Sequence, residues 1–166
     1  MKILLTLLLL IATSVVHATA QRPDSLILDG ERVALFTNPF VQFLRRDDNW
    51  SKMRPHLKAK CSGSWLGFTA EWEIKDDFLY HTAIKANPCN KIPDEVPVQI
   101  FFPESNGPIV ASWYSGSLVV PRGKRIKYVH WGYLSEYESY TIIEVKDGEV
   151  LSRKEVKELP AKPQFK

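Results

Sequence analysis

Short β-prone runs separated by turn-forming residues constrain the fold of this chain more than any other feature. Residues 65–74 and 78–86 alternate apolar and polar side chains, and Lys75-Asp76-Asp77 between them is typical of a turn. Asp29-Gly30 and Asp147-Gly148 each separate two further runs and supply the positive φ angles of a tight hairpin. The pattern predicts a mainly β protein of about nine strands, an antiparallel meander that forms a curved sheet or a partly closed barrel.

Helical periodicity is scarce in the rest of the sequence and is clearest after Thr37. Asn38 is a good N-cap, and Pro39 suits the first position of a helix. The apolar residues that follow, Phe40, Phe43 and Leu44, fall on one helical face. We therefore predict one short helix near residues 39–46.

Residues 1–20 have the three parts of a cleavable secretory signal peptide. Lys2 supplies a positive charge, residues 3–16 are apolar apart from small hydroxyl residues, and Ala18-Thr19-Ala20 has the small-x-small pattern of a cleavage site. The apolar run is shorter than the roughly 20 residues that span a bilayer. The sequence predicts cleavage before Gln21 and an exported protein, periplasmic or extracellular, that is not membrane-embedded. The alternative is an uncleaved amphipathic or membrane helix.

The chain after the signal peptide has the length of one domain. We expect a single β-rich domain at residues 21–159. Two prolines and two lysines fall together in residues 160–166, which predicts a flexible tail.

The charges are nearly balanced, with 22 Lys and Arg residues against 19 Asp and Glu residues. This balance gives no support to nucleic acid as a partner. The basic cluster of Arg122, Lys124, Arg125 and Lys127 is interpreted as a solvated loop after a turn, with phosphate binding as the alternative.

Cys61 and Cys89 are predicted to form a disulfide, because an even number of cysteines in an exported protein favours pairing. If Lys75 faces Phe78 in the predicted hairpin, both cysteines fall near its open end. Free thiols or a metal site are the alternatives. The two cysteines lack the CxxC spacing of zinc ligands, and we predict no metal and no cofactor.

The stretch at residues 113–138 is rich in aromatic, glycine and polar side chains. It includes Trp113-Tyr114-Ser115-Gly116, Pro121, Gly123, Tyr128, His130, Gly132-Tyr133, Ser135 and Tyr137-Glu138. With Gly67 and residues 70–74 and 79–80 upstream, it resembles a family of small uncharacterised bacterial proteins, some of them secreted, with the pattern W-[YF]-S-G…P-x-G…Y-x-H-x-G-Y-x-S-x-Y-E. The resemblance implies no activity, ligand or catalytic residue.

The same stretch supplies the candidate binding residues. Tyrosine and tryptophan side chains offer a large apolar area with a polar handle, which suits contacts with proteins and carbohydrates. We expect an exported binding protein that contacts a protein or an envelope-associated ligand. The predicted binding residues are Trp113, Tyr128, His130, Tyr133 and Tyr137.

An envelope hydrolase centred on His130 is the alternative function. Imidazole titrates near neutral pH, and Glu136 and Glu138 follow closely in the sequence. This mechanism requires His130 and a carboxylate to meet in a concave pocket. If residues 126–133 form a strand, a purely structural role for His130 on the sheet surface is a further interpretation. His81 faces Trp72 in the predicted hairpin register and is expected to be a core or rim histidine.

Overall fold

The computed structural model describes residues 20–58 and 61–159. Apart from Ala20, the predicted signal peptide lies outside the described residues, and so does the predicted tail at residues 160–166. None of the helices in the described part is both long and apolar enough to cross a membrane.

Nine β-strands in the described residues form one mixed sheet that is not closed. Their bounds are β1 Asp24–Leu28, β2 Glu31–Leu35, β3 Phe68–Lys75, β4 Phe78–Ala86, β5 Asp94–Val96, β6 Ile109–Val110, β7 Gly116–Lys127, β8 Glu136–Lys146 and β9 Glu149–Val156. The strand order is β2-β1-β3-β4-β9-β8-β7, with β5 and β6 paired to β4 outside this path. The predicted mainly β fold is confirmed, and its sheet is open.

Three of the predicted turns form tight hairpins. Both residues of Asp29-Gly30, Asp76-Asp77 and Asp147-Gly148 have positive φ angles, between 49° and 85°. Such angles match the right-handed twist of the flanking strands, and Asp and Gly adopt them more readily than most residues. Gly148 is also required by the close packing of the backbone, because a Cβ atom there would lie 3.0 Å from the backbone carbon of Ala111.

The predicted register of the β3–β4 hairpin is also confirmed. Lys75 pairs with Phe78, and Trp72 pairs with His81. A register shift follows between Trp72 and Glu71, so the simple alternation stops at this bulge. The hairpin therefore places His81 and Trp72 side by side in the core.

The pairing of β1 with β3 departs from the predicted antiparallel meander. These strands are parallel, with Ser25 facing Glu71 and Ile27 facing Glu73. β1 lies between β2 and β3, and the crossover connection from β1 to β3 contains β2 and, in its described part after β2, residues 36–58 and 61–67. Turn signals predict only neighbouring hairpins, so they do not predict a pairing between distant strands.

The predicted strand at residues 126–133 is wrong beyond Lys127, where β7 ends. The chain then forms a loop, in which the Ser135 hydroxyl accepts a hydrogen bond from the Val129 N–H and donates one to the Val129 carbonyl. The basic cluster that the sequence places in a loop lies on β7 itself. The charged side chains there project from an exposed strand end.

Two short helices, α1 Pro39–Leu44 and α2 Asn49–Met53, lie in the crossover connection. α1 confirms the predicted helix, and Phe40 and Leu44 are buried on its inner face. Asn38 precedes α1, but its side chain makes no capping hydrogen bond. Its amide is engaged in a network described below.

His81 is fully buried in an aromatic core, and neither of its ring nitrogens has a hydrogen-bond partner. Its ring stacks on Phe40 with centroids 4.7 Å apart and meets Trp72 edge to face at 5.0 Å. Burial lowers the pKa of His81 to about 4. The backbone of Ala83 opposes this shift by a smaller amount. The folded protein therefore holds His81 neutral under mildly acidic conditions.

We expect His81 to reduce stability as the pH falls from 6.5 toward about 4. In this window the unfolded state binds a proton that the folded state does not, so stability is lost on acidification. The His81→Phe variant lacks this loss. As the pH falls from about 6.5 to 5, the free energy of unfolding of the variant minus that of the wild type should therefore increase by about 2 kcal/mol. Urea unfolding across this range measures the difference, and a difference that does not change with pH would contradict the prediction.

Candidate functional site

A cleft of about 590 Å³ lies where the end of β2 approaches β7. The Phe36 N–H donates to the Val119 carbonyl at 2.7 Å, and the Val119 N–H donates to the Thr37 hydroxyl at 3.0 Å. These bonds join the two ends of the strand order at one point without closing the sheet. The cleft is lined by side chains from the N-terminal segment, α1, the loop before β3, and strands β7 to β9.

A buried carboxyl group, Asp24, organises a hydrogen-bond network beside this cleft. It accepts hydrogen bonds from the Ala70 N–H at 3.0 Å, the Trp72 indole N–H at 3.0 Å and the Asn38 side-chain amide at 3.2 Å. Asn38 lines the cleft and also donates to the Tyr133 hydroxyl at 3.2 Å. The network therefore joins β1, β3, the start of α1 and the loop after β7.

Burial raises the pKa of Asp24 to about 7, although the hydrogen bonds from Ala70, Trp72 and Asn38 act in the opposite direction. The pKa of the Tyr133 hydroxyl is raised by burial and, to a smaller extent, by the charge of Asp24. Asp24 is thus a carboxyl group whose protonation state changes near neutral pH. Perturbed groups of this kind often accompany functional sites, and this one lies next to a cleft.

Three exposed aromatic side chains, Trp65, Tyr128 and Trp131, form a surface that we call the aromatic rim. Their exposed fractions are 42%, 41% and 59%. Trp65 and Trp131 come from distant segments and meet edge to face with ring centroids 4.9 Å apart. The guanidinium group of Arg125 lies 4.7 Å from the centre of the Tyr128 ring. Because Trp65 also lines the cleft, the rim and the cleft are continuous.

The first described residues connect the segments that carry the aromatic rim. The Trp65 N–H donates to the side-chain oxygen of Gln21 at 2.8 Å. The Gln21 N–H donates to the Gly132 carbonyl at 3.3 Å. The rim is therefore attached to the fold at the position where the mature chain is predicted to start.

The predicted disulfide between Cys61 and Cys89 is confirmed, with Cα atoms 6.4 Å apart and a sequence separation of 28 residues. Cys61 begins the turn that leads to Trp65, and its carbonyl accepts a hydrogen bond from the Ser64 N–H at 2.9 Å. Cys89 follows the end of β4. The disulfide therefore ties the loop that carries Trp65 to the sheet.

The predicted binding residues lie in different environments. Trp113 is buried in the core, so the exposed surface does not include it. Tyr133 is also buried and lines the cleft, while Tyr137 is half-buried. Tyr128 and His130 are exposed, with ring centroids 4.5 Å apart. The exposed part of the predicted surface is therefore centred on Tyr128 and His130.

The predicted acid–base residues do not share either of two cavities on this side of the protein. A second cavity of about 530 Å³ is lined by Glu136 and Glu138, whereas His130 is exposed and lines neither cavity. Glu138 accepts a hydrogen bond from the Lys124 N–H at 2.8 Å. Glu136 lies 3.7 Å from the ammonium group of Lys127. Both carboxylates are thus engaged with the basic end of β7.

Sequence reasoning misses three residues of this region. Trp65 and Trp131 fall in predicted strands, where core packing is the first interpretation of a tryptophan. The run Ser62-Gly63-Ser64 before Trp65 is rich in turn formers and is a signal that Trp65 belongs to a loop. Asp24 has no comparable signal, because its burial depends on donors from a distant strand.

The described residues contain no group of three or more His, Cys, Asp or Glu side chains that could hold a metal ion. No family model matches the chain, and no curated protein or solved structure matches it.

Proposed function

We propose that this chain is an exported binding protein that contacts a protein or an envelope-associated ligand through the aromatic rim. The observation that carries this proposal is the solvent-exposed edge-to-face pair of Trp65 and Trp131. Tryptophan and tyrosine side chains are enriched among the residues that dominate binding energy at interfaces. They bury a large area and lose little side-chain entropy on binding.

The attachment of the aromatic rim to the fold also supports this proposal. Gln21 and the disulfide hold the loop of Trp65, and the Leu134 N–H donates to the Trp131 carbonyl at 3.2 Å. A surface that is ordered before binding loses less conformational entropy when a partner binds. Arg125 extends the rim with a cation held over the Tyr128 ring.

Export is the second part of the proposal. The signal-peptide features of residues 1–20 support it, and so does the disulfide, because such bonds persist mainly in oxidising compartments. The resemblance to a family of small bacterial proteins, some of them secreted, is consistent with a periplasmic or extracellular location. The partner would then be a protein or a molecule of the cell envelope.

Affinity capture from an envelope extract of the source organism tests this function. The tagged protein is purified after export and compared with a Trp65→Ala/Trp131→Ala double variant. We expect the wild type to retain a stoichiometric partner and the double variant to bind it at least about tenfold more weakly, because anchor aromatics contribute strongly to interfaces. The thermal midpoint should change little, since both side chains are exposed.

The Leu151→Ala variant is the matched control for removal of an exposed apolar side chain. Leu151 lies on β9, is 58% exposed and is not part of the aromatic rim. This variant should retain the partner as the wild type does. Equal binding by the wild type and the tryptophan double variant would rule out the rim as the contact surface.

A further inference from the structure

We propose a binding activity beyond that of the aromatic rim: the cleft binds an amphipathic anion, a small molecule with one apolar chain or ring system and one carboxylate or phosphate group. The volume of about 590 Å³ lies within the usual range of small-molecule sites. Apolar walls with a few polar groups are also typical of such sites. Three features of the cleft carry the proposal: its apolar wall, its charge and its ordered polar groups.

The apolar wall comes from elements on opposite sides of the cleft. Val41 of α1 lines one side, and Val119 of β7 and Ile142 of β8 line another. Phe36 and Tyr133 add two rings that stack with centroids 5.0 Å apart and planes within 9°. An apolar chain placed against this wall would be removed from water, which favours binding.

The charges of the cleft favour an anionic head group. Arg22, Arg45 and Lys154 line it and are exposed. Among its lining residues, Glu144 is the one carboxylate, and both of its oxygens lie within hydrogen-bond distance of the Ser117 hydroxyl, at 2.8 Å and 3.0 Å. Three cations against one carboxylate give the lining a net positive charge, and the buried Asp24 carboxyl group beside the cleft adds negative charge only as the pH rises through about 7. A positive cleft attracts anions and disfavours cations.

The polar groups of the cleft are held in place by hydrogen bonds of the protein itself. The Asn38 amide donates to Asp24 and to the Tyr133 hydroxyl, and the Tyr133 hydroxyl donates to the Arg22 carbonyl at 3.2 Å. The position of Asn38 is therefore fixed before any ligand binds. A preformed site loses less entropy on binding than one that must be ordered.

The tail of this chain is a less suitable occupant than an external anion. Leu159, the last described residue, lines the cleft, and residues 160–166 follow it. These residues carry Lys162 and Lys166 and no acidic side chain. Because the cleft is itself positive, its charge disfavours this segment.

Isothermal titration calorimetry of the exported protein with four ligands that share a ten-carbon chain tests the proposal. Decanoate and decyl phosphate are the anions, decanol is neutral, and decyltrimethylammonium is the cation, each below its micelle concentration. We expect at least one anion to bind at least about tenfold more tightly than the neutral and cationic probes. Preference between the two anions distinguishes a carboxylate ligand from a phosphate ligand.

An Arg22→Ala/Lys154→Ala double variant locates the site. Both side chains are exposed, so we expect a normal fold and roughly tenfold weaker binding of the preferred anion. The matched control is Lys52→Ala/Lys146→Ala, which removes two exposed cations that do not line the cleft and should bind as the wild type does. Equal weakening in both double variants would overturn the proposal.

Other outcomes would overturn it as well. The proposal fails if neither anion binds at about 1 mM, or if the anions and decyltrimethylammonium bind with equal affinity. It also fails if a chain that ends at Leu159 binds the anion about tenfold more tightly, because that gain would identify the tail as the occupant. The Trp131→Ala variant separates this proposal from the proposed function, because Trp131 does not line the cleft. That variant should lose affinity for the captured partner and keep its affinity for the anion.

Discussion

Replacing Asp24 with alanine should lower the free energy of unfolding by about 4 kcal/mol near pH 4, because three hydrogen-bond donors lose their acceptor. The Ala70 N–H and the Trp72 indole N–H are buried, so water cannot easily replace the carboxyl group. The Asn38 amide loses the bond that fixes it at the wall of the cleft. Urea unfolding followed by tryptophan fluorescence measures the loss, and a loss below about 1 kcal/mol would show that the network does not stabilise the fold.

The loss caused by Asp24→Ala should also shrink as the pH rises. The folded-state pKa is raised from 3.8 to about 7, so between these values the folded state holds a proton that the unfolded state has released. The contribution of Asp24 to the free energy of unfolding is therefore largest below about pH 4, and it is lost as the pH rises toward 7. Asp24→Asn keeps one acceptor oxygen and removes the titration. Ser25→Ala, on the same strand, is the control and should cost less than about 1 kcal/mol, because the Ser25 bond to Arg32 is exposed.

Removing the disulfide should lower the free energy of unfolding by about 3.5 kcal/mol, as expected for a loop of this length. The Cys61→Ser/Cys89→Ser double variant makes this change without a reductant. The bond restricts the unfolded chain, and in the folded protein it ties the loop of Trp65 to the end of β4. We therefore expect weaker partner binding at the aromatic rim together with the lower stability.

A reductant supplies the internal control for this experiment. Dithiothreitol should lower the urea midpoint of the wild type to that of the double variant and should leave the double variant unchanged. A wild-type midpoint that does not move after complete reduction, verified by thiol labelling, would contradict the predicted contribution of the disulfide.

The parts of the fold that follow from the sequence are those determined by neighbouring residues. The Asp29-Gly30 and Asp147-Gly148 turns are predictable because few residue pairs accept two consecutive positive φ angles. The pairing of Trp72 with His81 follows from the turn between their strands. The helix at Pro39–Leu44 follows from its proline and its apolar spacing.

The rest depends on contacts between distant segments. The parallel pairing of β1 with β3 and the burial of Asp24 involve partners that no local pattern identifies. For the same reason, the sequence does not distinguish buried Trp113 from exposed Trp131, although both lie in the same aromatic-rich stretch. The sequence therefore predicts only an aromatic-rich region, in which Tyr128 and His130 are exposed, while the cleft appears only in three dimensions.

The parallel pairing of β1 with β3 also implies an order of folding events. β1 and β2 form a local hairpin, but hydrogen bonds from β3 to Asp24 span 46 and 48 residues. Loops of this length are closed slowly, because their entropy is lost before the contact forms. We therefore expect the β3–β4 and β8–β9 hairpins to form early and the N-terminal hairpin to dock late. The cleft would then be complete only at the last step, so a ligand that binds there would recognise only the fully assembled sheet.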